Sequence, residues 1–178
     1  MSMRFQDEIY QKRFAQRVAT MIESRLIWYK HYSLWTDELI IALDKPPTWL
    51  LDIATLTYYP EALEAIKRFV YSEPFEAFQG EKDDEYVACL FLRHERGEIA
   101  WATFLNEAGV YSDRQNGHRD CEYFYVRLNI LENKEYAREV EQEQRKEIEQ
   151  EYAKAIASTK ELYGIFLDYF RKYLAKEA

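Results

Sequence analysis

Residues 42–56, ALDKPPTWLLDIATL, contain two adjacent prolines and a tryptophan in a run that is otherwise mostly apolar. Proline lacks a backbone N–H group and cannot continue a helix, but it is well tolerated in the first turn of one. Pro46 and Pro47 therefore predict that one helix ends near Asp44 and that another begins directly after them. Four residues would form the buried side of the new helix: Trp49, Leu50, Ile53 and Leu56.

Apolar spacing predicts two helices before this junction. Apolar residues recur mostly at steps of three to five, which predicts a long first helix over residues 4–29. A second helix would begin at Thr36 as its N-cap, with Trp35 packed against Ile40. Pro60 occupies a position that suits the first turn of a further helix.

The stretch DDEYVACLFLRHERG, residues 83–97, has the charge pattern of a capped helix. Its first turn is acidic, its last turn is basic, Asp83 could cap its start, and Gly97 suits a left-handed stop. Because residues 86–92 are apolar on all sides, we expect this helix to be buried at the centre of the fold. The helix after it would end at Gly109.

The last third of the chain is less clearly patterned. Residues 120–131 alternate as in a strand but also fit a helix, and we favour a helix because no other stretch offers a strand to pair with. Residues 133–175 read as one long charged helix or two joined ones. Residues 138–151 hold only two aliphatic side chains and would project as a solvated span. The predicted fold is an all-α, irregular multi-helix bundle of one domain, residues 1–178.

Charge and composition narrow the classes of function. The net charge is −8, and residues 31–131 hold 9 basic and 18 acidic side chains. That segment would repel a phosphate backbone, so we expect a protein partner with a basic surface rather than a nucleic acid. No uncharged run approaches the ~20 residues of a membrane-spanning helix, and the first residues lack the pattern of a secretory signal. We therefore expect no membrane contact, a cytoplasmic location and reduced thiols, and leave the oligomeric state open.

Catalytic and cofactor motifs are mostly missing from the sequence. The five glycines are isolated, so neither a phosphate-binding loop nor a dinucleotide fingerprint is present, and we predict no cofactor, no metal and no enzyme. His118 and Cys121 are close enough in sequence for an imidazole to activate a thiolate, but their spacing is not specific. A zinc site that adds Cys89 and His94 would have suitable ligand types without a recognised spacing.

An acidic run in the middle of the chain is the candidate binding surface. Such runs are more often a solvated loop and a helix start, and the aromatic residues near this one are more often core. As a surface, the run would combine electrostatic steering with aromatic anchors. The predicted partner-binding residues are Glu73, Glu76, Glu81, Asp83, Asp84, Glu85, Tyr58 and Tyr59, with Tyr71, Phe75 and Phe78 also at the rim.

Residues 24–70 resemble a family of bacterial proteins. They carry a tryptophan followed by an acidic helix start, a Pro-Pro-x-Trp-Leu-Leu junction, a short apolar helix and an amphipathic one. This arrangement is similar to that of small, mostly helical proteins that are predicted immunity proteins of polymorphic toxin systems. The resemblance implies a protein that binds and blocks a cognate toxin and has no enzymatic activity.

Three functions follow from these features. The first is an immunity protein that occludes a basic toxin domain through the acidic, aromatic-rimmed surface. The second is a helical scaffold or self-associating protein that uses the apolar seam of residues 133–175. The third is an uncharacterised enzyme that uses His118 and Cys121.

Overall fold

The computed structural model describes residues 7–114 and 120–177, except for the side chain of Gln79. These residues form nine α-helices after a 3-10 turn at Glu8–Tyr10, with no strand among them, so the predicted all-α class is confirmed. The helices are α1 Lys12–Glu23, α2 Tyr29–Ala42, α3 Thr48–Ala54, α4 Tyr59–Val70, α5 Gln79–Glu95, α6 Trp101–Arg114, α7 Glu122–Asn133, α8 Arg138–Glu151 and α9 Ala153–Glu177.

The chain divides into two compact units. The first comprises Met1–Phe78 and Glu161–Ala178, which include α1 to α4 and most of α9. The second comprises Gln79–Lys160, which includes α5 to α8 and the first turns of α9. The sequence predicts one domain over residues 1–178, and the structure distinguishes these two units within it.

The double proline separates α2 from α3 as predicted. Pro47 is the N-cap of α3, and its carbonyl accepts hydrogen bonds from the N–H groups of Leu50 at 3.0 Å and Leu51 at 3.3 Å. Trp49 is 1% exposed, and its indole N–H donates to the carbonyl of Ile9 at 2.9 Å. The proline pair and the tryptophan therefore form part of the framework of the first unit.

Aromatic rings fill the core of the first unit. The ring of Trp35 lies 6.3 Å from that of Phe14 in α1, 6.4 Å from that of Trp49 in α3 and 5.1 Å from that of Phe166 in α9. The Trp35–Phe166 pair meets edge to face, which suits the quadrupoles of the two rings. One side chain of α2 thus joins three other helices.

The predicted long first helix over residues 4–29 is wrong, because α1 stops at Glu23. Arg25 has φ 63°, and the next helix begins only at Tyr29. The N–H of Arg25 bonds to the carbonyl of Ile22 at 3.0 Å, and the N–H of Leu26 bonds to that of Met21 at 3.0 Å. These two bonds form a Schellman motif, which usually has glycine at the left-handed position. Residues 4–6 of the prediction lie outside the described residues.

The predicted N-cap at Thr36 is also wrong. Thr36 lies inside α2, where it is buried and its hydroxyl donates to the carbonyl of Ser33 at 2.7 Å. A threonine can bond the preceding turn in this way without ending the helix. The helix begins earlier, where the N–H of Trp28 donates to Nδ1 of His31 at 3.3 Å.

The helix predicted for residues 83–97 is α5 of the second unit, and its predicted end is confirmed. Gly97 has φ 72°; its N–H bonds to the carbonyl of His94 at 2.8 Å, and the N–H of Glu98 bonds to that of Arg93 at 3.0 Å. All of residues 87–92 are buried, as expected. The predicted start is wrong, because α5 begins at Gln79 and Asp83 lies within it.

Gly109 brings α6 and α7 close together and does not end α6. A Cβ atom added at Gly109 would lie 2.5 Å from Cε1 of Tyr125 in α7. The glycine is therefore required by the neighbouring ring. The helix predicted for residues 120–131 is confirmed by α7.

The C-terminal region forms two helices, α8 and α9, interrupted at Tyr152. Residues 138–151 do not project from the second unit, since Gln144 and Ile148 are buried. Gln144 accepts a hydrogen bond from the indole N–H of Trp101 at 3.0 Å and donates to the carbonyl of Arg127 at 2.9 Å. One amide thus ties α8 to α6 and α7.

Gly109→Ala tests the close approach of α6 and α7. The added methyl group meets the Tyr125 ring, so we expect the free energy of unfolding to fall by about 1–3 kcal/mol in urea denaturation. Gly164→Ala is the matched control, because nothing lies within 4 Å of its added Cβ. Removing a glycine from the interior of α9 should instead stabilise the protein by about 1 kcal/mol. Equal effects of the two changes would contradict the steric role of Gly109.

Gln144→Ala tests whether α8 is packed or solvated. The change leaves the buried indole N–H of Trp101 without its acceptor, so we expect a loss of about 1–3 kcal/mol of stability. Gln142→Ala in the same helix is the control, since Gln142 is exposed and should change stability by less than about 0.5 kcal/mol. Similar urea midpoints for the two variants would show that α8 is solvated on both faces.

Candidate partner-binding site

The predicted acidic surface is divided between the two units. Glu73 and Glu76 lie in the first unit, on the irregular segment 71–78 between α4 and α5, which we call the acidic loop. Four carboxylates lie in the second unit, in the first turns of α5: Glu81, Asp83, Asp84 and Glu85. The two groups are therefore considered separately.

Tyr58 and Tyr59 do not rim the acidic loop. They stand at the start of α4, whereas Tyr71 follows the end of that 12-residue helix. At a rise of 1.5 Å per residue, the two ends of α4 are about 18 Å apart. Tyr59 is also covered, because the guanidinium of Arg25 lies 3.5 Å above the centre of its ring. These two tyrosines form a different surface from the loop.

Burial separates the four carboxylates of α5. Asp83 and Glu85 are each 6% exposed, whereas Glu81 is exposed and Asp84 is half-buried. A buried carboxylate contributes little to the field that an approaching partner meets. Asp83 and Glu85 therefore do not belong to an exposed acidic surface. The sequence alone does not distinguish them from the exposed carboxylates of the same run.

The acidic loop presents aromatic and acidic side chains together. Phe75 is 62% exposed and Tyr71 is 50% exposed, and Glu73 and Glu76 are exposed on either side of Phe75. A large apolar ring exposed to this extent would gain free energy if another molecule covered it. The loop thus combines the two side-chain types that the sequence analysis expected of a binding surface.

Lys12 holds the backbone of the acidic loop in place. This lysine is 8% exposed, and its ammonium group donates hydrogen bonds to the carbonyls of Ser72 and Pro74. The N–H of Phe75 donates to the carboxylate of Glu73 at 3.2 Å, which adds a bond within the loop. Because α1 supplies the buried cation, the exposed ring is carried by a fixed backbone.

Sequence reasoning missed Lys12, which it placed within a long amphipathic helix. A weak signal was present, since Lys12, Gln16 and Thr20 follow one another at steps of four along α1 and all three are buried. A lysine on such a row requires acceptors inside the protein. The sequence does not show that these acceptors are carbonyls some 60 positions away.

Only some residues of the enzyme and metal hypotheses lie in the part of the chain that the structure describes. His118 lies outside the described residues, so its distance from Cys121 is not defined. Partial burial raises the pKa of the Cys121 thiol, and the carboxylates of Asp113, Asp120 and Glu122 raise it further. A raised pKa disfavours the thiolate that a nucleophile requires. Within residues 7–114 and 120–177, no three His, Cys, Asp or Glu side chains are grouped so as to hold a metal ion.

Part of the apolar seam of residues 133–175 packs within the chain. Ile148, Tyr152, Leu162 and Phe166 are nearly fully buried, and Ile156 is 8% exposed. Tyr136 and Leu174 of the same seam are 57% and 43% exposed, so these two side chains stay accessible to another molecule. Among the helices that the structure describes, none combines the length and the apolar character required to cross a bilayer.

Alkylation of Cys121 tests the enzyme hypothesis. With its pKa raised, Cys121 should react with iodoacetamide more slowly at neutral pH than a cysteine in an unstructured peptide, and its rate should rise at higher pH. The measurement uses a Cys89→Ala variant, so that Cys121 is the only thiol. A Cys121 rate above that of the peptide would indicate an activated nucleophile.

Comparison with known proteins finds no matching family model, no matching curated protein and no matching solved structure.

Proposed function

We propose that this chain is a non-enzymatic binding protein that covers the basic surface of a protein partner, and that the partner is a bacterial toxin domain. One observation carries the proposal: Phe75 is exposed between Glu73 and Glu76 on a loop that the buried Lys12 fixes to α1. The resemblance of residues 24–70 to predicted immunity proteins supports the choice of a toxin.

A fixed loop can bind more tightly than a mobile one of the same composition. Ordering side chains and backbone at an interface opposes binding, and a loop that is ordered beforehand avoids much of that cost. Lys12 and the hydrogen bond from Phe75 N–H to Glu73 order the acidic loop before any partner arrives. Aromatic side chains that enter a pocket on the partner are common anchors of protein interfaces.

The charge of the loop suits a toxin that acts on nucleic acid. The substrate cleft of a nuclease is basic because it must attract phosphate groups. Exposed carboxylates on the acidic loop would be drawn to such a cleft, and the Phe75 ring would fill part of it. Charges placed in this way accelerate association and exclude acidic partners.

Affinity capture of the full chain from its native host tests the proposal. We expect a basic protein at low ionic strength, with much less of it as salt rises from about 0.05 M to about 0.5 M, since salt screens exposed charges. The captured protein should stop the growth of a bacterial host when expressed alone, and should not when this chain is expressed with it. Capture of no protein at low salt, or of one that is harmless alone, would contradict the proposal.

Phe75→Ala tests the loop as the binding surface. Loss of an aromatic anchor weakens an interface by about 2 kcal/mol or more, or about 30-fold in Kd, as measured by titration calorimetry with the captured protein. Ile41→Ala is the matched control, because Ile41 is 85% exposed and belongs to α2 rather than to the loop, and the change should leave Kd unchanged. Equal losses in the two variants would remove the acidic loop from the interface.

A Lys12→Met variant distinguishes the contribution of loop order to affinity from the contribution of the loop's side chains. It retains Phe75 and both carboxylates but removes the donor to the Ser72 and Pro74 carbonyls. We expect Kd to rise by about tenfold, because the partner must then order the loop. Circular dichroism should show an unchanged helix content, which distinguishes this effect from unfolding.

A further inference from the structure

Trp28 differs from the other three tryptophans of the chain. Trp35, Trp49 and Trp101 are 5% exposed or less and lie in the cores of their units, whereas Trp28 is 44% exposed. It stands at the N-terminal end of α2, and its ring is 6.2 Å from that of Phe170 in α9. Much of the indole surface therefore remains accessible to another molecule.

Trp28 belongs to a cluster that surrounds a cation. The ammonium group of Lys30 lies 5.6 Å from the centre of the Trp28 ring and 5.3 Å from that of Tyr173. Its third neighbour is the carboxylate of Glu177, at 2.6 Å. Tyr29 closes the cluster, since its ring meets those of Trp28 and Tyr173 edge to face at 5.1 Å and 6.0 Å.

This arrangement has the chemistry of a site for organic cations. The faces of Trp and Tyr rings are negative and attract cations within about 6 Å of the ring centre. Aromatic clusters with a nearby carboxylate suit quaternary ammonium groups, which are less strongly hydrated than a primary ammonium and enter an aromatic cluster more readily. The hydrogen bond to Glu177 raises the pKa of Lys30, so the lysine occupies the cluster as a cation.

Lys30 is held there by contacts that exchange readily. The Lys30 side chain is 18% exposed, and its partner Glu177 is 47% exposed in the last turn of α9. An ion pair with one exposed partner is weakened because water competes for the charge of that partner. A cation with a stronger attraction to the rings can therefore displace the lysine, whose flexible side chain can swing into solvent.

We propose that Trp28, Tyr173 and Glu177 form a binding site for a quaternary ammonium group, and that Lys30 closes this site as an internal ligand. The site does not depend on the acidic loop or on the proposed function. Its ligand is either a small molecule of the choline type or a trimethylated lysine on another protein. Both present the same trimethylammonium group.

Titration with tetramethylammonium chloride tests the site. The readout is the indole N–H signal of Trp28 in the NMR spectrum of the 15N-labelled full chain, identified by its absence in Trp28→Phe. We expect this signal to shift and the other three to stay in place. Neopentyl alcohol has the same shape without the charge and should cause no shift. An unmoved Trp28 signal in both the wild type and Lys30→Ala, or equal shifts with the alcohol, would overturn the proposal.

Variants test whether Lys30 competes with an added cation for the site. Lys30→Ala should bind tetramethylammonium about tenfold more tightly than the wild type, because the competing cation is gone. Should that variant fail to fold, Lys30→Gln gives the same comparison. Lys172→Ala is the matched control: Lys172 lies 4.3 Å from the Tyr169 ring centre and 3.7 Å from Glu38, a site with a single ring. It should bind as the wild type does, and a similar gain in it would contradict the role of Lys30.

Two further titrations identify the source of the ligand. Choline and a short peptide that contains trimethyllysine are compared on the Lys30→Ala variant. Tighter binding of the peptide assigns the site to a modified protein, and equal or tighter binding of choline assigns it to a small molecule. Failure of both to move the Trp28 signal would contradict the proposal.

Discussion

Burial of Trp49 requires an acceptor for its indole N–H, and the carbonyl of Ile9 supplies it at 2.9 Å. An indole that entered the core without this bond would leave a donor unsatisfied, at a cost of about 1–3 kcal/mol. The carbonyl is available because Ile9 lies in a short 3-10 turn before α1, where not every carbonyl is used within a helix. The proline pair starts α3 at the position that brings Trp49 to this turn. The first unit thus depends on the start of α3 meeting the 3-10 turn before α1.

Other buried donors follow the same rule. The hydroxyl of Tyr32 donates to the carbonyl of Leu56 at 2.7 Å, between α3 and α4, and Lys12 donates to two carbonyls of the acidic loop. Many carbonyls in the connections between helices have no helical N–H partner, so they can accept a hydrogen bond from a buried donor on another helix. These bonds fix the connections as well as satisfy the donors. A loop ordered in this way can carry an exposed ring such as Phe75 in one conformation, which would lower the cost of binding a partner.

The sequence predicts helix starts and ends that a single residue type determines. It does not predict those that depend on contacts with residues distant in the sequence. Prolines place the starts of α3 and α4, and Gly97 places the end of α5, because these residues restrict or release the backbone on their own. The stop at Arg25 uses the same hydrogen bonds as the stop at Gly97, but nothing in the residue type signals it. The predicted helix end at Gly109 is wrong, because this glycine leaves space for the ring of Tyr125 and does not stop the helix. Of the candidate site, the sequence supplies the carboxylates and rings of the acidic loop, but not the lysine that orders them.

Exposure determines how far a charge on this chain can act on another molecule. Asp83 and Glu85 count fully in the net charge of −8 but are buried, whereas Glu73 and Glu76 face solvent. In the proposed function, the acidic loop would attract a partner through exposed carboxylates, whose long-range field is screened by salt. In the proposed cation site, the aromatic cluster around Lys30 would attract cations through ring faces at contact distance, where screening is weaker. The acidic loop and the aromatic cluster of the first unit can thus favour positively charged molecules through different interactions. The loop acts during approach, and the cluster acts only after contact.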